Sequence, residues 1–432
     1  MPVRPHVVVV GSGFGGLNAA TRLARQPVDI TVVDRDNYHG FWPLLYQVAT
    51  AGLGADDIAH PIRSIYSEHP NVTVRLGTVT DIDLDDRVVE VDGEPSLRYD
   101  YLVLAAGSST SDFGIPGVEE HAFALKTLPD AVRLRNHILA TFEHADIDGT
   151  ASRDPGSLTV VLVGGGPTGV EMAGALSELI GRNLAADFPR LDLTQARVVL
   201  VEMTDHLLPG FGRPSQESAL DTLQKRGVEV CLNTRLAKVT AEGVTFEDGR
   251  SVPARTVVWT AGVKANPLAS CLPGGKGKGG TVPVRPDLSL EGHPEVFVIG
   301  DLAAIRPLGR LSGGGDQLPQ LAQVAIQGGR HTADNIRRVL QGKDTVPFRY
   351  RNHGIMATIG RRAAVAELPG GLKFRGTVGW LAWLGVHLVF LVGFRNRVVV
   401  MINWAWNYLT WDRAARVILD DGSRTPTGQP RA

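Results

Sequence analysis

Residues 160–174 read Val-Val-Leu-Val-Gly-Gly-Gly-Pro-Thr-Gly-Val-Glu-Met-Ala-Gly. An apolar, β-branched run passes into Gly164, Gly166 and Gly169, with Pro167 and Thr168 between them, and then into helix-favouring residues. This is the strand, tight turn and helix that a dinucleotide pyrophosphate requires. The pattern also opens the chain, where Val7, Val8, Val9 and Val10 lead into Gly11, Gly13 and Gly16, with Phe14 and Gly15 inside the turn. Gly11 permits the turn, Gly13 lets the pyrophosphate approach the backbone, and Gly16 lets the following helix pack close to its strand. The expected fold class is therefore α/β, with two Rossmann-like dinucleotide-binding domains. Two such turns in one chain imply two nucleotides and electrons passing between them.

Outward from each turn, the next apolar run ends in an acid: Asp34 after residues 30–33 and Glu202 after residues 197–201. An acid at that place accepts hydrogen bonds from ribose hydroxyls. The second gap is longer than the usual spacing of about 20 residues, which residues 176–193 explain as a lengthened helix and loop. Glu202 would repel a 2′-phosphate, so NADH is expected over NADPH. After Asp34 and Arg35 comes a run rich in aromatic residues and leucine that includes Leu44, Tyr46 and Gln47. It reads either as buried core or as the wall of a flat isoalloxazine ring. The strand at 101–104 ends in small residues, including Ala106 and Gly107, where a nucleotide has room. Residues 296–299 form another buried strand ending at Gly300 and Asp301. Asp301 suits both a ribityl hydroxyl and a helix N-cap, and the two roles can coexist. Residues 317–329 then predict a helix on which Gln320, Gln323 and Gln327 share a face. They are either surface amides or partners for quinone or flavin carbonyls.

Short strands are expected at 72–76, 88–91, 228–232, 237–239, 243–246 and 256–259, the last followed by Thr260, Ala261 and Gly262. Residues 114–117 mark a crossover, 128–144 a long connecting helix and 148–157 a loop. The expected division is an interrupted dinucleotide-binding domain at 1–115 and 282–345, a second one at 116–281 and a C-terminal region at 346–432, for which the family resemblance carried by the motifs below implies FAD binding, NADH binding, and a quinone- and membrane-facing role respectively. The glycine- and lysine-containing stretch 274–280 lacks the order of a phosphate loop and reads as a solvated loop.

Composition excludes several classes. A chain of 432 residues, 43% hydrophobic, has material for two or three cores. Lysine and arginine number 44 against 45 aspartate and glutamate, which lacks the cationic excess that binds nucleic acid. Cys231 and Cys271 form no metal or redox motif, and a reducing compartment is expected. No metal is expected, because the histidines show no ligand spacing. The first strand follows the N-terminus too closely for a cleaved export signal, so none is expected.

The chain resembles the type II NADH dehydrogenases, single-subunit NADH:quinone oxidoreductases that do not pump protons. The resemblance rests on Gly-Ser-Gly-Phe-Gly-Gly at 11–16, Pro-Leu-Leu-Tyr-Gln-Val-Ala-Thr at 43–50, Gly-Gly-Gly-Pro-Thr-Gly-Val-Glu at 164–171 and Trp-Thr-Ala-Gly-Val at 259–263. Ile-Gly-Asp at 299–301, Ala-Gln-x-Ala-x-Gln at 322–327 and Met-Ala-Thr-Ile-Gly-Arg at 356–361 extend it. It implies that the first fingerprint holds FAD with Asp34 and Asp301, through Gly11, Gly13, Phe14, Gly15, Gly16, Arg35, Leu44, Tyr46, Gln47, Ala106, Gly107, Gly300 and Gln323. The second would hold NADH through Gly164, Gly166, Pro167, Thr168, Gly169, Glu171, Glu202, Ala261 and Gly262. Gln323 and Gln327 would line the quinone pocket, and the family's helix glutamate maps to Glu171. Without the family, Glu171 reads as a helix-dipole partner.

The chemistry needs no thiol, since a flavin accepts a hydride and passes two electrons to a quinone. The related sulfide:quinone oxidoreductases and disulfide reductases use reactive cysteines that this sequence does not pair. The end of the chain points to the acceptor. Apolar runs at 380–394 and 398–411 are each too short to span a bilayer and carry five of the seven tryptophans. From Gly371 onward eight Lys or Arg (Lys373, Arg375, Arg395, Arg397, Arg413, Arg416, Arg424, Arg431) face three acids (Asp412, Asp420, Asp421), a balance suited to an anionic bilayer surface. The expected location is the cytoplasmic side of the cell membrane, held peripherally. A helical hairpin at a homodimer interface is the competing reading, and both can hold. His387 reads as a packed histidine and Lys373 as a solvated one. A soluble flavoprotein reductase with another acceptor and an NADH-sensing regulatory flavoprotein remain as alternatives.

Overall fold

The computed structural model describes residues 4–148, 154, 156–309, 316–413 and 415–419. Most of the loop expected at 148–157, and Asp420, Asp421, Arg424 and Arg431 of the basic tail, lie outside the described residues. The chain folds as two compact units. One comprises Met1–Gly40, Ala59–Thr110 and Val263–His353, and the other Phe41–Ile58, Ser111–Gly262 and Gly354–Ala432.

The first unit is built on a six-stranded sheet. His6–Val10 lies at its centre, parallel to Asp29–Asp34 on one side and Tyr101–Leu104 on the other. Val72–Leu76 extends the first side and His293–Val298 the second, with Ser289–Leu290 antiparallel at the edge. Val7, Val8 and Val9 are fully buried because helices cover a parallel sheet on both faces. Each such valine contributes ~1.5–3 kcal/mol relative to an exposed one. The helices Phe14–Leu23 and Ala322–Leu340 pack at glycines: a Cβ on Gly329 would lie 2.2 Å from the Gly15 carbonyl oxygen.

The second unit repeats the plan with five parallel strands in the order Phe123–Ala124, Thr256–Trp259, Thr159–Val163, Arg197–Val201 and Glu229–Cys231. Val161, Val163, Val199 and Val201 form a core with Val239, Val244 and Phe246 of a small antiparallel sheet. The helix Pro167–Glu178 runs into a π-helical turn at Leu179–Leu184 and a last turn at Ala185–Asp187, which accounts for the long gap to Glu202. It packs on Ile355–Gly360, the first strand of a second antiparallel sheet; a Cβ on Gly174 would sit 2.1 Å from the Ile359 carbonyl oxygen. The helices Gly376–Phe390 and Phe394–Thr410 follow.

One expectation fails. The helix carrying the glutamines begins at Ala322, after Leu321 in extended backbone, so Gln320 lies outside it and shares no helical face with Gln323 and Gln327. Leu321 is the helix N-cap, and its extended backbone starts the helix two residues after Gln320. The segment 41–58 packs within the second unit, where Trp404, Arg413 and Asn407 donate to Gln47, Thr50 and Gly52.

Candidate functional site

In the first unit the turn after His6–Val10 is shaped by backbone contacts. Gly11 has φ +92°, and a Cβ there would come within 2.5 Å of the Ala105 carbonyl oxygen. A Cβ on Gly16 would lie 1.8 Å from the Gly11 carbonyl oxygen, which ties the helix to the turn. At Gly13 a Cβ would meet nothing within 4 Å, and the helix that starts there has no side-chain cap. Open space above uncapped backbone N–H groups fits an anionic pyrophosphate.

Asp34 closes this turn by accepting the backbone N–H groups of Ser12 and Asp36. Burial raises its pKa, and those two bonds oppose the rise. Arg35 is exposed and pairs with Asp36 at 3.7 Å. Ala106 and Gly107 lie beyond Tyr101–Leu104, their carbonyls accepting from Asn266. Gly300 has φ +67°, and Asp301 accepts from the Ser108 hydroxyl at 2.7 Å. Gln323 accepts from the His353 N–H at 3.0 Å. Gln327 both donates to and accepts from the Arg351 backbone, as a neighbouring strand would. Sequence reasoning missed His39, which is 2% exposed and donates from Nδ1 to the Ser12 carbonyl at 2.7 Å. Its Nε2 is then a buried acceptor without a partner among the described residues, and burial lowers its pKa.

The second unit reproduces this geometry. Gly164 has φ +113° and its Cβ position lies 2.7 Å from Ala261 Cα, while a Cβ on Gly169 would be 1.9 Å from the Gly164 carbonyl oxygen. At Gly166 nothing lies within 4 Å, and the helix starting at Pro167 and Thr168 is also uncapped by side chains. Glu202 accepts the N–H of Gly165 at 2.7 Å and, through its other oxygen, the N–H and hydroxyl of Thr204. A Cβ on Gly262 would strike the Phe113 ring.

This unit also holds a cavity of about 60 Å³. Glu171 and Glu178 line it from one helix, Tyr46 and Gln47 from Leu45–Ala49, Trp404 and Tyr408 from Phe394–Thr410, and Arg361 and Arg413 from flanking segments. Burial pushes the Glu171 carboxyl up to about 8; the Thr358 N–H, which it accepts at 3.3 Å, and the Trp383 indole oppose the rise. At neutral pH it is mostly a carboxylic acid. Glu178 accepts from Arg226 and the Arg361 N–H on one oxygen and from Arg413 on the other. Arg413 also donates to the carbonyls of Thr50 and Ala175. Tyr46 and Gln47 are bonded to each other, and the Trp404 indole donates to Gln47. Leu44 is fully buried beside them in sequence. A signal for Glu178 was present: it lies two helical turns from Glu171, on the same face.

His387 stacks on Trp383 with ring centroids 4.0 Å apart, and burial lowers its pKa to about 4, so it is neutral. Lys373 pairs with Glu367 at 3.7 Å. Cys231 and Cys271 are free thiols whose pKa values burial raises. Among the described residues no cluster of His, Cys, Asp and Glu could hold a metal, and no helix is long and apolar enough to cross a membrane.

The sequence profile of the pyridine nucleotide-disulphide oxidoreductases matches residues 5–329, and that of the NDH2 C-terminal domain matches 353–411. The chain is 40% identical over 433 aligned residues to the type II NADH:quinone oxidoreductase Ndh of Mycobacterium tuberculosis, covering 97% of this chain and 91% of the relative. It is 31% identical to the type II NADH:quinone oxidoreductase of Staphylococcus epidermidis, over 85% of this chain and 90% of that one. A solved structure of NDH2 from Plasmodium falciparum in complex with NADH superposes with a TM-score of 0.87 at 19% identity, covering 96% of this chain and all of the other. At that identity the likeness shows a shared fold.

Proposed function

We propose a division of labour for this chain, which belongs to the type II NADH:quinone oxidoreductases. The protein catalyses FAD-dependent transfer of two electrons from NADH to a membrane quinone without pumping protons. The observation that carries this reading is the pair of glycine turns, each open at its uncapped helix and each closed by a strand-end acid.

In this reading the ligand domains are those expected from the sequence: 1–115 and 282–345 for FAD, 116–281 for NADH and 346–432 for quinone and membrane. The first turn takes FAD, with Asp34 on the adenosine ribose and Asp301 on the ribityl chain. His39 Nε2 offers an acceptor that suits a cofactor hydroxyl. Bound flavin supplies the capacity to take a hydride and release two electrons. Glu202 sits at the adenosine ribose of NADH, its oxygens already fixed by Gly165 and Thr204 so that it presents a pre-set carboxylate. Gln323 and Gln327 serve the quinone half-reaction, with carbonyl oxygens anchored by the N–H groups of His353 and Arg351. Glu171 holds a proton at its carboxyl for the quinone.

The acceptor is reached at a membrane surface. Leu381, Val389, Phe394 and Leu409 of the last two helices are 57%, 65%, 81% and 83% exposed. Apolar side chains displayed on two helices with Arg395 and Arg397 at their junction suit an anionic bilayer. The protein binds peripherally on the cytoplasmic side and forms a homodimer. The test is anaerobic: NADH should bleach the flavin, and menaquinone or ubiquinone analogues should restore its colour. Reduction without quinone-dependent reoxidation would favour the sensor reading. Co-sedimentation with anionic vesicles that survived removal of residues 371–432 would refute the anchoring role.

A further inference from the structure

The segment that carries the chain into the second unit holds a backbone conformation that its side chain does not favour. Ile115 donates its N–H to the Asp112 carbonyl, and the two residues enclosed, Phe113 and Gly114, have φ +52° and +71°. Positive φ at both central positions is the mark of a type I′ turn, which asparagine, aspartate and glycine fill with least strain. A phenylalanine at the first of them is an outlier that something must hold in place. Core packing does this elsewhere: Ala51, Leu208 and Leu288 also have positive φ, and all three are fully buried. Phe113 is instead 64% exposed.

The turn is tied down beside the second glycine turn. Ser111 donates its N–H to the Gly262 carbonyl at 3.1 Å, and its own carbonyl accepts the Trp259 indole N–H at 2.7 Å. The Phe113 ring thereby lies against Gly262, so close that a Cβ there would come within 2.5 Å of Cζ, and its centroid is 6.4 Å from that of Trp259. Gly262 follows Ala261, whose Cα lies 2.7 Å from the Cβ position of Gly164 in the nucleotide turn. Strand order tells which half of a dinucleotide comes to this place. Thr159–Val163 is flanked on one side by Arg197–Val201, which leads to Glu202, and on the other by Thr256–Trp259, which leads to Gly262. Val163 is level with both Val201 and Trp259. A dinucleotide lies across the carboxyl ends of such strands with its pyrophosphate on the turn. With Glu202 at the adenosine ribose, the nicotinamide half extends over Ala261, Gly262 and the Phe113 ring.

We infer that Phe113 is an NADH-binding residue, whose exposed ring forms an apolar wall against the nicotinamide ring and its ribose. The inference rests on the assignment of NADH to this turn. The chemistry of the ligand favours an aromatic side chain here. A flat dihydronicotinamide gains from contact with a second ring, and burying the exposed face of Phe113 adds to that gain. The ring is also placed before the ligand arrives, because the bonds from Ser111 to Gly262 and Trp259 fix the backbone that carries it. A strained turn persists where surrounding structure over-determines it, and such turns gather at ligand sites. Here the strain holds an apolar ring at the surface beside a nucleotide turn.

Full-length, FAD-loaded Phe113→Asn and Phe113→Gly test the inference, since each removes the ring and suits the turn better. Both should melt no lower than the native protein. Anaerobic flavin reduction should show the NADH dissociation constant raised about tenfold in both. ADP-ribose, which lacks the nicotinamide, should inhibit the native protein and the variants alike. Phe113→Tyr keeps the ring and should restore most of the affinity. Native NADH affinity in the Asn and Gly variants overturns the inference, and so does a lowered melting point in both, because the ring would then serve the fold. ADP-ribose weakened as much as NADH overturns it too, since the contact would not be with the nicotinamide half. A Gly169→Val protein that still reduced its flavin with NADH would remove the assignment of NADH to this turn, a different failure from a turn that binds NADH and a ring that does not matter.

Discussion

The two glycine turns are close copies, and they part at one helix position. In each, the first glycine has positive φ, the third abuts the first, and the strand-end acid accepts the N–H after the first glycine and the N–H two residues beyond itself. Counting from that first glycine, Asn18 of the first helix corresponds to Glu171 of the second. Asn18 donates to the Phe14 carbonyl and accepts from Arg330, so its amide is spent on structure. Glu171 faces a cavity, is held by one long hydrogen bond, and burial makes it an acid near neutral pH. One scaffold thus appears twice, and at this helix position the second copy carries a buried carboxyl where the first carries an amide. The difference comes from what packs on the helix. The first meets Ala322–Leu340 at close-set glycines, whereas the second meets Ile355–Gly360 and leaves a cavity towards the C-terminal helices.

The largest expected effects break the likeness. Gly169→Val would put a side chain 1.9 Å from the Gly164 carbonyl and should abolish NADH-dependent flavin reduction while FAD stays bound. Gly16→Val, facing a 1.8 Å contact, should instead yield protein without FAD. Absorbance of the purified variants and anaerobic titration with NADH separate the two. Reversed outcomes would exchange the nucleotides between the turns.

Next comes stability against pH. The carboxyl of Glu171 is raised to about 8 from its ordinary 4.5, so between these values the folded protein binds a proton that the unfolded chain has released. Its stabilising effect is complete below about 4.5 and is lost as pH rises through about 8, on the order of a few kcal/mol. Melting of the FAD-loaded protein should therefore show native losing ground to Glu171→Gln between pH 5 and 9. A constant difference across that range would mean the carboxyl is not raised.

A smaller change sharpens the comparison of the two acids. Glu202→Gln should raise the NADPH-to-NADH ratio of kcat/KM about tenfold by removing repulsion of a 2′-phosphate. An unchanged ratio would return Glu202 to a purely structural role in fixing Gly165 and Thr204. Smallest of all, Gln327→Ala breaks two hydrogen bonds to Arg351 and should cost ~1 kcal/mol in urea unfolding. It should also slow quinone-driven reoxidation; native stability with native reoxidation would leave Gln327 with neither role.

The fold was readable where physics is local. Valine runs flanked by glycine turns became the two central strands, and Asp34 and Glu202 stand at the ends of the neighbouring strands. The glutamine helix was misread at its start because the amide spacing continues smoothly across Leu321, while the helical backbone does not. The surroundings of Glu171 were not readable, since Tyr46, Thr358, Trp383, Tyr408 and Arg413 come from distant parts of the chain. Nothing in the spacing of Arg413 announces that it is buried against Glu178. His39 was hidden for the same reason, its partner being the Ser12 carbonyl of another strand's turn.

The most direct test of the difference between Asn18 and Glu171 is the pH profile of quinone-driven reoxidation in the NADH-reduced protein. The native rate should fall as pH rises through about 8, and Glu171→Gln should be slower by ~10²-fold at pH 7 with that limb gone. A Glu171→Gln protein that keeps both the rate and the limb would contradict the account.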